Sequence, residues 1–262
     1  NAVAAINGDF FWKTNNNYPL GAMMSDGKII STPDYMPNEK AVFSITNSKI
    51  PFISYWQATI NVKTATGESI KVVSKNKDNA LYGDVCMYDY NWSKKTLGNT
   101  IFPDMAELIV SKGIVTDIRV GQEPIDMPRD GYILVGRNQA KDILLSKFKI
   151  GDRISVEEFS VPDYNEIKSA VGGGAILVKD GQVVQGFSHN ITGDQPRTAI
   201  GINKDRTEVI MVTVDGRHSS FKGVTQDRLA RIMIELGAYE ALNLDGGGST
   251  TMCVKNRGQA ET

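Results

Sequence analysis

The sequence of 262 residues has little of several features that would identify a class of protein at once. Its two cysteines, Cys86 and Cys253, are too few for a disulfide scaffold or a zinc site. They predict two buried free thiols, with a long-range disulfide as the alternative. Nowhere does the chain hold a run of about 18 apolar residues, which argues against a transmembrane segment.

Neither sign of charge dominates, because 29 Lys and Arg residues face 30 Asp and Glu residues and leave a net charge of -1. Without a basic field the chain has no general attraction for nucleic acid, so we expect no nucleic-acid partner. Any anion-binding site must therefore be built locally. The glycine runs lack the spacing and the lysine of nucleotide-binding loops, which disfavours nucleotides. No pattern favours a particular oligomeric state.

Short strand patterns are what the sequence does contain. Alternating apolar and polar residues predict a hairpin over 57–75 and a second over 175–187, where Asp180-Gly181 is typical of a tight turn. Helical periodicity predicts helices over 136–148 and 225–238, the latter with Thr225 as N-cap. Further strands are predicted over 106–120, 131–136, 152–159 and 197–217.

This order lacks the regular β–α alternation of a doubly wound fold. It predicts an α+β fold with a mixed, largely antiparallel β-sheet core and a few peripheral helices. We expect a single domain over 1–262. Residues 12–50 are rich in Asn, Pro, Ser and Lys, which predicts an irregular surface excursion there.

The stretch "NLDGGGSTTM" at 243–252 places a carboxylate at the end of an apolar strand and follows it with three glycines. Such glycines let backbone N–H groups approach an anion, and Ser249 and Thr250 add hydroxyl donors. A second run, at 172–174, predicts a bulge or close backbone packing. Four apolar strands end in polar groups beside glycine: Asn7 and Asp9, Arg197, Asp215 and Arg217, and Asn243 and Asp245. If these ends converge, they form a polar pocket.

Five stretches, "AINGDFF", "VGGGAILVKDG", "RTAIGI", "VTVDGR" and "GVTQDRLARIMIELGAYEALNLDGGGSTTM", together resemble the phosphodiester glycosidase domain family. The resemblance implies an α+β fold, hydrolysis of a sugar–phosphate diester, and a carbohydrate or glycan-phosphate substrate, with N-acetylglucosamine among the sugars. It also implies a bacterial protein outside the cytoplasm, whether secreted, periplasmic or on the cell surface. The family's polar motif positions match Asn7, Arg197, Thr198, Asp215, Arg217, Asn243, Asp245, Gly246, Gly247, Gly248 and Ser249.

On this resemblance, Arg197 and the glycine-loop N–H groups would stabilise the departing phosphate. Asp245 would act as nucleophile or base, and Asp215 as its partner or as a ligand of sugar hydroxyls, with the reverse assignment left open. Asn7 and Asn243 would orient sugar hydroxyls. The other candidate substrate-binding residues are Asp9, Thr198, Arg217, Gly246, Gly247, Gly248, Ser249 and Thr250. No cofactor or metal ligand is predicted, although a divalent cation such as calcium at Asp245 is left open.

Two other functions fit the same loops. One is a non-catalytic module that binds sugar phosphates or cell-envelope glycans. The other is a structural or adhesive envelope protein whose glycines form only tight turns. His189 and His218 lie near the polar clusters and are further candidates for a catalytic or ligand role, although no zinc-like spacing accompanies them.

Overall fold

The computed structural model describes residues 2–13, 18–33, 38–78 and 83–255. Strands dominate these residues, nearly all of the strand pairs are antiparallel, and two α-helices accompany them. The expected antiparallel core with few helices is therefore present. The balance lies further towards β than the α+β label suggests.

In chain order the elements are β1 (Ala4–Ile6), β2 (Phe11–Trp12), β3 (Tyr18–Pro19), β4 (Met23–Ser25), β5 (Lys28–Ser31), β6 (Ala41–Thr46), β7 (Pro51–Tyr55), β8 (Gln57–Lys63), β9 (Ser69–Val72), β10 (Ser74–Lys75), β11 (Cys86–Asp89), β12 (Ala106–Ser111), β13 (Ile114–Val120), β14 (Gly131–Gly136), α1 (Asn138–Lys147), β15 (Ser155–Val161), β16 (Ile167–Gly172), β17 (Ile176–Lys179), β18 (Gln182–Val183), β19 (Arg197–Ile202), β20 (Val209–Val214), α2 (Gln226–Glu235), β21 (Glu240–Asn243) and β22 (Met252–Val254).

Contacts within the chain divide it into two compact units, where the sequence led us to expect one domain over 1–262. The first unit comprises 1–28, 35–56 and 165–262, and the second comprises 29–34 and 57–164. Each unit has its own apolar core.

The first unit contains the neighbouring strands β4-β16-β6-β7, the five-stranded sheet β18-β17-β21-β19-β20 and a short β1–β22 pair. Strand β19 is buried along its whole length because it has cover on both faces. On one face Ala199 packs with Leu229 and Met233 of α2, and on the other Ile200 packs with Phe43 of β6. Such burial explains why this strand reads as a continuous apolar run after its first two residues.

The second unit contains the sheets β15-β8-β9 and β10-β11-β14-β12-β13, together with α1. Alternate residues of β8 and β9, such as Ile60 and Ile70, enter a core that also receives Leu144 of α1. A buried ion pair between Arg119 and Glu107, with an Nη1 to Oε2 distance of 3.0 Å, joins β13 to β12.

Several local predictions are confirmed. Strands β17 and β18 form the expected hairpin, and both Asp180 and Gly181 adopt positive φ. Thr225 caps α2, because its Oγ1 accepts a hydrogen bond from the Arg228 N–H at 3.2 Å. Helix α2 ends at Glu235, three residues before the predicted end at 238, and its C-cap residue Leu236 is exposed.

Two expectations differ from the structure. The described part of 12–50 forms short strands, and β6 lies inside a sheet between β16 and β7, with its first four residues buried. Strands of two to four residues on either side of polar turns are too short to give a periodic signal. Both cysteines are free, but only Cys86 is buried, because Cys253 lies on the exposed strand β22.

Neither described helix is both long and apolar enough to cross a membrane.

Candidate active site

A cavity of about 310 Å³ opens in the first unit. It lies at the start of β19 and at the loop that follows β21, where the sequence predicted polar site residues. Two guanidinium groups and one carboxylate line it, so that its lining carries one net positive charge. The lining residues are Phe10, Ile191, Thr192, Gln195, Arg197, Arg217, Asp245, Gly246 and Gly247. The structure therefore brings together five of the predicted site residues.

Asp245 lies two residues beyond the end of β21, and hydrogen bonds fix its backbone on both sides. Its N–H donates to the Gly8 carbonyl at 3.1 Å, and its own carbonyl accepts from Nδ2 of Asn7 at 2.8 Å. Its Oδ1 accepts the Gly246 N–H at 2.8 Å. Oδ2 has no hydrogen-bond partner among the described residues, so it is the oxygen available to a ligand.

Asn7 and Thr198 form the support behind this carboxylate. Oδ1 of Asn7 accepts hydrogen bonds from Oγ1 of Thr198 at 2.7 Å and from the Thr251 N–H at 3.1 Å. Thr198 is fully buried, and neither side chain lines the cavity. Both residues were expected to bind substrate; in the structure Asn7 donates to the Asp245 carbonyl, and Thr198 donates to Asn7.

Arg197 is a buried cation in the cavity wall, with only 2% of its surface exposed. Its Nε donates to the Val224 carbonyl at 3.1 Å, and Nη2 donates to the carbonyls of Ile191 and Gly193 at 3.1 and 2.9 Å. Burial lowers the pKa of Arg197, and the negative charge of Asp194 opposes that shift. Its Nη1 has no hydrogen-bond partner in the described part of the chain, so Nη1 is the group left for an anion.

Arg217 supplies the second guanidinium group, from the turn that follows β20. Its backbone is left-handed, with φ of 58°, and its Nε donates to Oε1 of Gln195 at 3.0 Å. The guanidinium lies against Gly247, since a Cβ there would stand 2.8 Å from Nη2 of Arg217. Unlike Arg197, this side chain is exposed.

The glycine loop differs from the anion-binding nest that the sequence predicts. The Gly246 N–H is bonded to Asp245 Oδ1, and the Gly247 N–H donates to the Pro196 carbonyl at 2.9 Å. Gly248 is the glycine of this run whose N–H makes no hydrogen bond within the described residues. The side chains of Ser249 and Thr250, in and after the 3-10 turn Gly247–Ser249, lie outside the cavity lining.

Three further predicted residues also lie outside the lining. Oδ2 of Asp9 accepts the Gly21 N–H at 2.6 Å. Asn243 is buried in β21, where its Nδ2 donates to the Leu244 carbonyl at 2.7 Å. Asp215 is exposed, one residue beyond β20.

The sequence did not identify four of the lining residues, Phe10, Ile191, Thr192 and Gln195. It also did not indicate Gln226, which holds part of this wall. Gln226, the first residue of α2, is buried, and its Oε1 accepts the Ile191 N–H at 2.7 Å. Its Nε2 donates to the His189 carbonyl at 3.0 Å. In the sequence Gln226 resembles an ordinary residue of the first helical turn, so nothing there signals this role.

His189, a candidate from the sequence, stands edge to face with the cavity residue Phe10, at 4.8 Å between ring centroids. Its Nδ1 is buried and has no partner among the described residues. Burial, and then the charge of Lys40, lowers the pKa of His189, while Glu39 and Asp245 raise it. The imidazole is therefore neutral near pH 7, and a buried, unpartnered Nδ1 favours the proton on Nε2.

Within the described residues, no group of three or more His, Cys, Asp or Glu side chains is placed to hold a metal ion.

Comparison with known proteins adds a family to this geometry. The phosphodiester glycosidase family model matches residues 104–262. A search of curated proteins finds no significant match. The crystal structure of a hypothetical protein from Synechocystis is 24% identical in sequence with a TM-score of 0.80, and the match covers 97% of this chain and 47% of that one.

The crystal structure of a putative exported protein from Burkholderia pseudomallei is 22% identical in sequence, also with a TM-score of 0.80, over 97% of this chain and 61% of that one. The chain thus spans about half to three fifths of the length of these two structures, which share its fold. The catalytic domain of zebrafish N-acetylglucosamine-1-phosphodiester alpha-N-acetylglucosaminidase is 15% identical over 97% of this chain and 78% of that one. Its TM-score is 0.29, so the two chains do not superpose as wholes.

The family match extends over more than half of the chain and includes Arg197, Arg217 and Asp245, three residues that the cavity brings together. The chain therefore belongs to the phosphodiester glycosidase family.

Proposed function

We propose that this protein hydrolyses a sugar-1-phosphate diester at the bond between C1 of the sugar and the phosphate oxygen. The observation that carries the proposal is one carboxylate, Asp245, in a cavity with the guanidinium groups of Arg197 and Arg217. A phosphodiester bears a single negative charge, which complements the one net positive charge of this lining. Family membership supports the same class of reaction.

In this mechanism the two arginines bind and stabilise the phosphate as it leaves. A phosphate ester is a weakly basic leaving group, so stabilising its charge matters more than protonating it. Arg217 presents an exposed guanidinium, and Arg197 presents Nη1 from a buried cation whose other donors hold the wall. Since the Gly246 N–H is already bonded to Asp245 Oδ1 and the Gly247 N–H to the Pro196 carbonyl, the arginines take the role predicted for the backbone nest.

Asp245 is the carboxylate that we assign to the reaction centre, with Oδ2 as the acting oxygen. It either attacks C1 directly or activates the water that does so, and it stabilises the positive charge that develops at C1. Its backbone is held by Gly8 and Asn7, and its Oδ1 by Gly246, so the side chain is oriented before the substrate arrives. Asp215 stays a candidate partner or ligand of sugar hydroxyls.

The test is hydrolysis of the p-nitrophenyl diester of α-N-acetylglucosamine-1-phosphate, followed through free N-acetylglucosamine. Asp245→Asn should lower kcat at least about a hundredfold, the scale found when one essential electrostatic group is lost. The fold should survive, because an asparagine Oδ1 still accepts the Gly246 N–H. Asp180→Asn is the matched control, since Asp180 lies at a hairpin tip with φ of 53°, a conformation that asparagine tolerates. Full activity of Asp245→Asn would remove Asp245 from the chemistry.

One observation favours a second candidate, a non-catalytic module that binds sugar phosphates or envelope glycans. The described lining holds a single carboxylate, whereas glycosidases ordinarily use a pair. Binding of the diester by the intact protein, with no release of sugar, would support this alternative. The location outside the cytoplasm stays a prediction.

A further inference from the structure

The cavity lining is chemically mixed. Arg217 and its hydrogen-bond partner Gln195 give it a charged, polar part, and the ring of Phe10 gives it an apolar part. Asp245 is connected to both parts through its chain neighbours. The Asp245 N–H donates to the Gly8 carbonyl, two residues before Phe10. Gly247, two residues after Asp245, packs against the Arg217 guanidinium.

The Phe10 ring is fixed by neighbours that lie outside the cavity lining. His189 meets it edge to face, at an interplanar angle of 84°. Gly174 lies against both rings, because a Cβ there would stand 3.0 Å from Cε2 of Phe10 and 2.8 Å from Nδ1 of His189. The main chain of His189 is in turn held by the buried Gln226 amide. Phe10 is therefore a preorganised aromatic surface rather than a loose side chain.

A pyranose ring matches such a surface, since its C–H groups form an apolar face that packs on an aromatic ring, while its hydroxyls point outwards. A phosphate has no such face and pairs instead with guanidinium groups. The neutral His189 adds no charge that would draw the phosphate towards Phe10. The two halves of a sugar-1-phosphate diester thus have opposite preferences for these two parts of the lining.

We propose that Phe10, positioned by His189, Gly174 and Gln226, is the platform on which the substrate's sugar ring lies and so sets the direction of binding. The sugar lies on the Phe10 part of the lining, the phosphate lies against the Arg217 part, and C1 is brought to Asp245. Phe10 is then a residue that determines specificity for the sugar half. This inference rests on the proposed function, because it assumes a ligand with both halves.

The test separates the two halves by titrating N-acetylglucosamine and inorganic phosphate individually into the protein by calorimetry. Phe10→Leu keeps an apolar side chain but removes the ring, and it should weaken sugar binding about tenfold while leaving phosphate binding unchanged, as expected for the loss of one aromatic contact. Arg217→Gln should weaken phosphate binding about tenfold while leaving sugar binding unchanged. Phe11→Leu is the matched control, since the adjacent Phe11 is 39% exposed and lies outside the cavity lining.

With the diester as substrate, Phe10→Leu should raise KM about tenfold and leave kcat within about twofold, because the platform binds ground state and transition state alike. Phe10→Tyr keeps the ring and should restore the KM. Gly174→Ala keeps the Phe10 residue, but its new Cβ would press on the Phe10 ring and shift it, so this variant should also raise KM. Gly174→Ala therefore tests the proposal even if Phe10→Leu fails to fold.

The proposal is overturned if Phe10→Leu and Phe11→Leu bind N-acetylglucosamine equally, if Phe10→Leu weakens sugar and phosphate binding together, or if the intact protein binds no sugar. Failure of the proposed function looks different. Sugar binding that depends on Phe10, without any hydrolysis of the diester, would sustain the platform and reject the glycosidase.

Discussion

Two runs of three glycines, 172–174 and 246–248, occur in the first unit with the same letters and different surroundings. The first run packs against other parts of the chain behind the cavity. A Cβ on Gly172 would stand 2.5 Å from Cα of Gly21, and one on Gly173 would stand 2.8 Å from the Asn243 carbonyl oxygen. These glycines let backbone segments approach one another.

The second run lies at the cavity and makes room for functional groups. A Cβ on Gly246 would press on the Pro196 carbonyl at 2.7 Å, and one on Gly247 would press on the Arg217 guanidinium. Nothing lies within 4 Å of a Cβ on Gly248. A run of three glycines therefore has no fixed structural role. The role of each glycine depends on which neighbouring group occupies the space that a Cβ would fill.

The largest effect should come from Gly172→Ala, whose methyl group would stand 2.5 Å from Cα of Gly21 and 2.6 Å from Oδ2 of Asp9, a side chain that the Gly21 N–H already holds. Overpacking of this kind costs about 1–3 kcal/mol of unfolding free energy. Chemical denaturation would measure the loss, and the KM of the folded protein should change little. An unchanged unfolding free energy would show that the strands separate without cost.

A smaller effect, on both binding and stability, is expected from Gly247→Ala. The new Cβ displaces the Arg217 guanidinium, and the φ of 59° at this position adds a cost of about 1–2 kcal/mol for any residue with a side chain. We expect the KM for the diester to rise about tenfold, as for the loss of one charge-assisted contact. Gly248→Ala, with open space around it, should leave KM unchanged and unfolding free energy within about 0.5 kcal/mol. Equal effects at both positions would erase the distinction within the run.

The smallest effect should be the pH dependence of stability caused by His189, whose ring packs against Gly174. Since burial lowers its pKa in the folded protein, the unfolded chain takes up this proton at higher pH than the folded one. Stability should therefore fall as pH drops below the ordinary histidine pKa of about 6.5. His189→Gln should flatten this slope in denaturation curves recorded between about pH 7 and pH 5. His218→Gln, at an exposed position, is the control, and an equal flattening there would contradict the assignment.

What the sequence predicted well was local. The hairpin at Asp180-Gly181 and the start of α2 at Thr225 depend on residues close in the chain, so their patterns are visible there. Arg197 and Asp245 could be identified because each stands at the end of an apolar strand beside a motif. Of the strand-end residues that were expected to converge, three line one cavity, namely Arg197, Arg217 and Asp245, whereas Asn7, Asp9, Asp215 and Asn243 lie outside its lining.

What could not be predicted depends on partners distant in sequence. Phe10 becomes a cavity wall through His189 and Gly174, and Gln226 becomes a clamp through the segment 189–191. Likewise, Asn7 and Thr198 carry motif positions, but only the fold reveals that they bond to each other behind Asp245. A polar residue beside a glycine has the same appearance in sequence whether it supports a site or touches a ligand.

The hydrogen bonds of Asn7 join parts of the chain that are synthesised at very different times. This residue, seventh in the sequence, bonds to Asp245 and Thr251, which follow it by 238 and 244 positions. During translation the strand that carries Asn7 must wait for 238 further residues before Asp245 is added. The cavity therefore assembles only after two segments made far apart in time have both emerged, and a nascent chain released before Asp245 lacks the carboxylate of this cavity, however well its earlier strands have folded.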